Sequence, residues 1–206
     1  MGLEDFYLYI KLAELAQASG DNDGTVMYLN LARRAFPSNP QPLKSLLGYY
    51  QQSGDETRAQ EIAEQMVLLD ENDVTVRGYL LGRYIEEGAH DRIADMALQI
   101  IYVDIFSAGP HRVRASALRE LEKWEDSVFE WTILKKLCGS KHYQGDDPIQ
   151  DELKATIEIA NTWLAAGDLS KAKEAALDAK AIAPDSPLVT ALIKNLSGDD
   201  TEDVYP

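Results

Sequence analysis

The sequence predicts an all-α fold, a solenoid built from antiparallel pairs of helices. Two observations support this prediction: a regular spacing of turn signals, and apolar residues that recur at helical spacing between them. Gly20, Gly54 and Gly88 lie 34 residues apart, the same step leads to Glu122, and a longer step leads to Gly167. This interval fits one helix-turn-helix unit. Neither helix of such a unit can bury its apolar stripe alone, so neighbouring units must stack.

The helices are expected in pairs along five repeats, with one turn near each of these five positions. The repeats span residues 6–39, 40–73, 74–107, 108–141 and 153–186. When the five repeats are aligned, residues at equivalent positions form columns. Apolar or small residues dominate the columns that should be buried. These columns are Leu12, Leu46, Leu80, Arg114 and Ile159; Ala16, Tyr50, Tyr84, Leu118 and Trp163; and, on the second helices, Ala32, Met66, Ile100, Leu134 and Ala179.

An insertion near residues 142–152 separates the fourth and fifth repeats. Asp147, Pro148 and Gln150 form a helix-start pattern, with an N-cap oxygen, a proline at the first helical position and a capping-box partner. We therefore expect a short polar loop, followed by about one extra turn on the next helix.

The end of the sequence predicts a cap and a tail. Residues 187–197 form an amphipathic stretch, which suits a capping helix over the last repeat. Residues 198–206 are acidic with few apolar side chains and are expected to be disordered. No linker rich in proline, glycine or serine divides the rest, so residues 1–197 are predicted to form a single domain.

The pattern resembles the tetratricopeptide repeat family from about residue 6 to residue 186, most strongly in the second repeat. The matching residues there are Leu43, Leu46, Tyr50, Gly54, Asp55, Ala59 and Met66. The resemblance implies a right-handed superhelical solenoid of about five repeats with a C-terminal capping helix. The fourth repeat departs from it: His111 replaces an aromatic residue, Arg114 an aliphatic one and Glu122 the turn glycine. Either the local helix rotates, or the Arg114 guanidinium extends outward over its own methylenes.

The resemblance also implies that the first helix of each pair lines a concave groove that binds another protein, as a peptide segment or a helix. The expected partner-binding residues are Tyr7, Lys11, Lys44, Gly48, Gly78, Tyr79, Gly82, Arg112, Ser116, Arg119 and Asn161. The cations among them favour a partner segment with apolar anchors and one or two acidic residues. Glycine is unfavourable inside helices; either a partner approaches the backbone closely at Gly48, Gly78 and Gly82, or glycine relieves crowding between helices.

One known use of this groove is not expected here. Chaperone-type members grip a partner's terminal carboxylate with lysine and asparagine side chains. In this sequence Ile10 and Glu14 occupy two of those sites, and Ser45 and Tyr79 occupy later ones.

The net charge of −15 argues against nucleic acid as a partner, because phosphate binding needs a basic patch. It also disfavours anionic membrane surfaces, and it either attracts basic partners or keeps the protein soluble. There is no apolar stretch of membrane-spanning length and no signal-peptide pattern, so we expect no membrane insertion and a cytoplasmic protein.

No residue pattern predicts an enzyme, a cofactor or a metal site. Cys138 is the single cysteine and is interpreted as a half-buried structural thiol. His90, His111 and His142 lie in different units without ligand-like spacing, and His90, beside a turn, is expected to be exposed. Adjacent carboxylates such as Asp151–Glu152 are expected to form solvated surface.

The sequence therefore favours a non-catalytic adaptor or scaffold that binds a partner protein in the groove. Two alternatives stay open. One is a dedicated chaperone for a secreted or assembling protein, similar to type III secretion chaperones, although those usually carry three repeats. The other is a self-assembling scaffold, which would make the protein a homo-oligomer.

Overall fold

The computed structural model describes residues 3–143 and 145–197, which form α-helices and no β-strand. The helices, numbered α1 to α11 in chain order, span Leu3–Ser19, Asn22–Ala35, Gln41–Ser53, Glu56–Leu69, Val74–Glu87, His90–Val103, Ala108–Glu120, Trp124–Cys138, Pro148–Ala165, Leu169–Ile182 and Pro187–Ser197. The all-α prediction is confirmed, and so is the capping helix, which is α11.

The five predicted turns share one backbone conformation. Gly20, Gly54, Gly88 and Gly167 have φ values of 76°, 73°, 67° and 79°, and Glu122, the residue that replaces the turn glycine, has φ 57°. In each turn the next residue's N–H donates to a carbonyl five residues back, as from Lys123 to Leu118. Such a left-handed residue satisfies the carbonyl groups left free at a helix end. The repeat therefore imposes this conformation even where glycine is absent.

Aspartates start several of the second helices, and the predicted start of α9 is confirmed. The Asp147 carboxylate accepts a hydrogen bond from the backbone N–H of Gln150, and Pro148 is the first helical residue. Asp21, Asp55 and Asp168 cap α2, α4 and α10 in the same way. The helix after the insertion has 18 residues, against 13 in α7, the first helix of the preceding repeat. This difference is the extra turn that the sequence predicted.

The chain divides into two compact units, Met1–Arg83 and Tyr84–Pro206, and the boundary falls inside α5. In unit 1, α1 packs against α2, α2 against α3, and α3 against α4. In unit 2, each helix from α6 to α10 packs against the next one. The single domain over residues 1–197 stays a prediction.

Small residues fill the core of unit 2 where its last three helices meet. Ala160 of α9, Ala172 and Ala176 of α10, and Leu192 and Leu196 of α11 are buried in one cluster. Alanine lets helix backbones approach closely, while the leucines supply most of the apolar area that burial removes from water. This cluster holds α11 against α9 and α10 and so sets the position of α11 beside α9. The acidic tail expected after α11, residues 198–206, lies outside the described residues.

In the fourth repeat the structure differs from the expectation that the Arg114 guanidinium extends outward. Its guanidinium binds the carboxylate of Glu130, which is buried on α8. His111, also buried, contacts the same carboxylate at 2.6 Å through Nδ1. Arg114 is therefore directed inward rather than extended outward, because Glu130 supplies an ionic partner where an aliphatic contact was expected.

In the described part of the chain, the structure contains no helix that is both long and apolar enough to cross a membrane.

Candidate partner-binding surface

The predicted residues of the fourth repeat lie along one stripe of α7. Arg112, Ser116 and Arg119 are four and three residues apart, a spacing that places them on one side of a helix. Ser116 Oγ donates to the carbonyl oxygen of Arg112 at 3.1 Å, so this hydroxyl is already bonded to its own helix. The two arginines remain the groups on the stripe that reach other elements.

Two ion pairs join this stripe to α9. Arg119 Nη1 lies 2.6 Å from a carboxylate oxygen of Glu158, and Arg112 Nη2 lies 3.8 Å from one of Asp151. The positive charge expected in the groove is therefore matched by carboxylates of the neighbouring first helix. To pair with either arginine, an acidic residue of a partner would have to displace the carboxylate of Asp151 or Glu158.

Asp151 is more constrained than the solvated surface carboxylate that the sequence predicted. It accepts a hydrogen bond from the Tyr143 hydroxyl and lies 3.4 Å from Lys154 Nζ. The Tyr143 hydrogen bond, with smaller contributions from Lys154 and Arg112, lowers the pKa of Asp151. Asp151 therefore ties the loop after α8 to α9, a role that adjacency in sequence could not reveal.

A groove of about 430 Å³ lies between α9 and α11. It is lined by Lys154, Ile157, Glu158, Asn161, Leu188, Ala191, Leu192 and Asn195. One of the four residues from α9, Asn161, is a predicted site residue. The four from α11 were missed, because the sequence assigned that helix only a capping role. Leu188 is 60% exposed, so an apolar side chain stands at the mouth of the groove.

A second depression, of about 350 Å³, lies beside α7. It is lined by Ile85, His90, Ile93, Arg112, Val113, Ser116, Ala117 and Glu120. Two predicted site residues, Arg112 and Ser116, are among them. Within unit 2, then, Arg112 and Ser116 line one depression and Asn161 lines the other, while Arg119 lines neither and pairs with Glu158.

In unit 1 the predicted side chains are accessible, but their described contacts are with other residues. Tyr7 is 60% exposed and packs edge-on against Phe6. Lys11 forms an ion pair with Glu14 at 2.6 Å, and Lys44 is exposed. The described contacts of Tyr7 and Lys11 are thus with neighbours on their own helix.

The three helical glycines have open space around them. A Cβ atom built at Gly48, Gly78 or Gly82 would meet nothing within 4 Å outside its own helix backbone. Relief of crowding between helices therefore does not explain them, and a partner close to the backbone stays a prediction. Near two of them, the half-buried Tyr79 donates a hydrogen bond to Glu56 at 3.3 Å. Burial, with a smaller contribution from Glu56, raises the pKa of this tyrosine.

The remaining chemically distinctive side chains have structural contacts. Cys138 is buried, more fully than predicted, and this burial raises the pKa of its thiol. The His142 ring lies 4.7 Å from the ring of Phe106, and His90 is partly rather than fully exposed.

No protein-family model matches the sequence, and no curated protein matches it. Solved structures do match the fold. YrrB, described as a TPR protein with an unusual peptide-binding site, has a TM-score of 0.56 at 13% identity, with 90% of each chain covered. A structure of MamA gives 0.52 at 14% identity, covering 98% of this chain and 99% of that one. MamA from Desulfovibrio magneticus RS-1 gives 0.50 at 16% identity, covering 88% and 98%. The chain therefore has the fold of the tetratricopeptide repeat proteins.

Proposed function

We propose that this protein is a non-catalytic adaptor whose concave surface in unit 2 binds a segment of another protein. The observation that supports this proposal most is the groove between α9 and α11. It combines an exposed apolar side chain, Leu188, with amide side chains, Asn161 and Asn195, on its two walls. Amide groups both donate and accept hydrogen bonds, so they suit the backbone of an extended segment, while the apolar wall suits an anchoring side chain.

The charges of this surface define the partner further. Lys154 lines the groove, and Arg112 and Arg119 lie next to it on α7. A partner segment with one apolar anchor and one carboxylate would contact Leu188 and form an ion pair with Arg112 or Arg119, in place of Asp151 or Glu158. The peptide-binding site of YrrB, a protein of the same fold, is consistent with such a use.

The test compares two leucine substitutions in the otherwise unchanged chain of 206 residues. Leu188→Glu places a charge at the mouth of the groove. Leu169→Glu is the matched control, since Leu169 is also an exposed leucine in the first turn of a helix, α10, and does not line the groove. An acidic residue is favourable in the first turn of a helix, so both variants should fold.

We expect the parent protein and the Leu169→Glu variant to capture the same partner proteins from the native lysate. The Leu188→Glu variant should fail to capture them. The double variant Arg112→Ala and Arg119→Ala should weaken the same capture while helicity is retained. Equal capture by all variants would contradict the proposal. A captured protein that is an exported substrate would favour the chaperone alternative, and a doubled or larger mass in light scattering, lost with Leu188→Glu, would favour self-assembly.

A further inference from the structure

The depression beside α7 and the groove between α9 and α11 are connected through one carboxylate. Arg112, which lines the α7 depression, lies 3.8 Å from one carboxylate oxygen of Asp151. Lys154, which lines the α9–α11 groove, lies 3.4 Å from the other oxygen of Asp151. The linings of the α7 depression and the α9–α11 groove therefore meet at a single side chain of unit 2.

The ion pairs also show how α7 and α9 lie relative to each other. Arg112 with Asp151 and Arg119 with Glu158 each join residues 39 positions apart. A step of seven residues along α7 is thus matched by a step of seven along α9. The two helices therefore run side by side in the same direction, and the two pairs are about 10 Å apart along them. The stretches of α7 and α9 that line the depression and the groove lie at the same level.

A segment that reaches both the α7 depression and the α9–α11 groove must cross α7 and α9. On the side away from α9, the α7 depression is lined by Ile85 of α5 and Ile93 of α6, and the α9–α11 groove is lined by α11. Neighbouring helices pack with their axes about 8–10 Å apart, so crossing two helices covers roughly 16–20 Å. An extended chain covers this distance in about five or six residues.

The α7 depression and the α9–α11 groove each present an exposed apolar side chain. Ile85 in the α7 depression is 48% exposed, and Leu188 in the α9–α11 groove is 60% exposed. Val113 and Ile93 add apolar surface to the α7 depression, as Ile157 does to the groove. Covering such surface with an apolar side chain is favourable, so each of the two can hold one apolar anchor.

Among the cations between the depression and the groove, Arg112 is the easiest for a partner to redirect. Its pair with Asp151 is long, at 3.8 Å, and 46% of its side chain is exposed, so the pair contributes little to stability. Asp151 keeps the hydrogen bond from Tyr143 and the contact with Lys154 when Arg112 turns away. Arg119, by contrast, lies 2.6 Å from its carboxylate partner. A partner carboxylate that lies over α7 therefore has Arg112 as its counter-ion.

We propose that the partner segment of unit 2 is extended and carries two apolar anchors, five or six residues apart, with one carboxylate between them. One anchor enters the α7 depression beside Ile85, the other enters the α9–α11 groove beside Leu188, and the carboxylate pairs with Arg112. This inference rests on the proposed function, because it uses the same groove. It adds the α7 depression as a second subsite and a spacing that selects the partner.

Fluorescence anisotropy with labelled synthetic peptides tests the spacing. The probes are peptides of serine and glycine with one aspartate and with two leucines either five or two residues apart on its two sides, or with a single leucine. We expect the peptide with the five-residue spacing to bind at least about tenfold more tightly than the other two, because its second anchor binds as part of the same molecule. Equal affinity for the three peptides, or no binding of any of them, would overturn the inference.

Two substitutions locate the second anchor and the carboxylate. Ile85→Lys places a charge in the α7 depression, in the last turn of α5 where a cation is favourable, and should reduce the affinity for the five-residue peptide to that for the single-leucine peptide. Val103→Lys is the matched control, since Val103 is 41% exposed in the last turn of α6 and lines neither the depression nor the groove. Arg112→Ala should weaken binding of the five-residue peptide but not of its analogue with asparagine in place of aspartate. Undiminished binding by Ile85→Lys would overturn the second subsite.

Capture from the lysate separates this inference from the proposed function. If capture is lost with Leu188→Glu but is unchanged with Ile85→Lys, the groove binds its partner through one anchor. That result would support the proposed function and overturn the second subsite. Capture that both Leu188→Glu and Ile85→Lys reduce, and that Val103→Lys leaves intact, is the result expected if the partner uses both anchors. Capture retained by all three variants would overturn both proposals.

Discussion

His111 Nδ1 lies 2.6 Å from a carboxylate oxygen of Glu130, and both side chains are buried. The other ring nitrogen of His111 lies 3.1 Å from the carbonyl oxygen of Ile105, and Arg114 binds the second oxygen of the same carboxylate. Glu130 on α8 thus holds two basic residues of α7. In the fourth repeat, ion pairs and hydrogen bonds therefore hold the two helices together, whereas buried apolar side chains such as Leu46 and Leu80 occupy the equivalent position in other repeats.

We expect Glu130→Ala to lower the free energy of unfolding by about 3–5 kcal/mol, because it removes the buried carboxylate that pairs with the Arg114 guanidinium and contacts His111 Nδ1. Urea unfolding followed by circular dichroism measures this loss. Glu174→Ala, at an exposed glutamate of α10, is the control and should change stability by less than about 0.5 kcal/mol. Similar losses for the two variants would show that the Glu130 cluster does not stabilise the fold.

The left-handed conformation of Glu122 predicts a stabilising substitution. Glu122 has φ 57°, which costs a residue with a Cβ atom about 1 kcal/mol relative to glycine. Glu122→Gly should therefore raise the free energy of unfolding by about that amount. The converse change, Gly88→Ala at φ 67°, should lower it by a comparable amount in the same denaturation assay. A destabilised Glu122→Gly variant would mean that the glutamate side chain makes a contact that outweighs the backbone strain.

Burial predicts a large difference between two leucines of the second repeat. Leu46 is 1% exposed and Leu68 is 82% exposed. Leu46→Ala should cost about 2–5 kcal/mol, since it removes a buried side chain and leaves a cavity. Leu68→Ala should cost less than about 0.5 kcal/mol. Thermal unfolding of the two variants checks this, and equal shifts would contradict the burial of Leu46.

The turns and helices could be predicted because each depends on local sequence and on the period. Asp147 and Pro148 mark the start of α9 by themselves, and the period marked a turn at Glu122 even without glycine. The partner of Arg114 could not be predicted, because Glu130 lies on another helix, 16 residues away, at a position with no distinctive pattern.

The candidate surface was predictable only in part, for a related reason. The helical period placed Arg112 and Arg119 on one stripe, but it carried no information on which carboxylates of α9 face them. Similarly, the apolar pattern of α11 indicated a cap, and only the packing of that helix beside α9 makes Leu188 a wall of the groove. The unit boundary between Arg83 and Tyr84 lies within a continuous helix, where the sequence has no linker to mark it.

Because the helical glycines are surrounded by open space, a substitution there can distinguish an effect on stability from an effect on partner binding. Gly78→Ala should raise the free energy of unfolding by about 0.5–1 kcal/mol, because alanine favours the helix and its Cβ meets no neighbour. If a partner approaches the backbone there, the same variant should bind that partner more weakly despite its greater stability. Chemical denaturation and a binding titration on the same samples check both statements. A loss of stability would contradict the open environment of Gly78.

The contacts of Asp151 predict a pH-dependent contribution to stability. Its pKa in the folded protein is lowered, first by the hydrogen bond from Tyr143, below the unfolded value of about 3.9. The ionised carboxylate therefore stabilises the fold above that pH, and this contribution is lost as the pH falls through the lower folded-state pKa. Asp151→Asn should cost about 1.5–3 kcal/mol at pH 7, the range for a hydrogen bond to a charged group. The cost should shrink as the pH falls below 4. Denaturation midpoints from pH 7 to pH 3 measure this, with Asp146→Asn in the preceding loop as the control; a difference independent of pH would assign the effect of Asp151 to packing rather than to its charge.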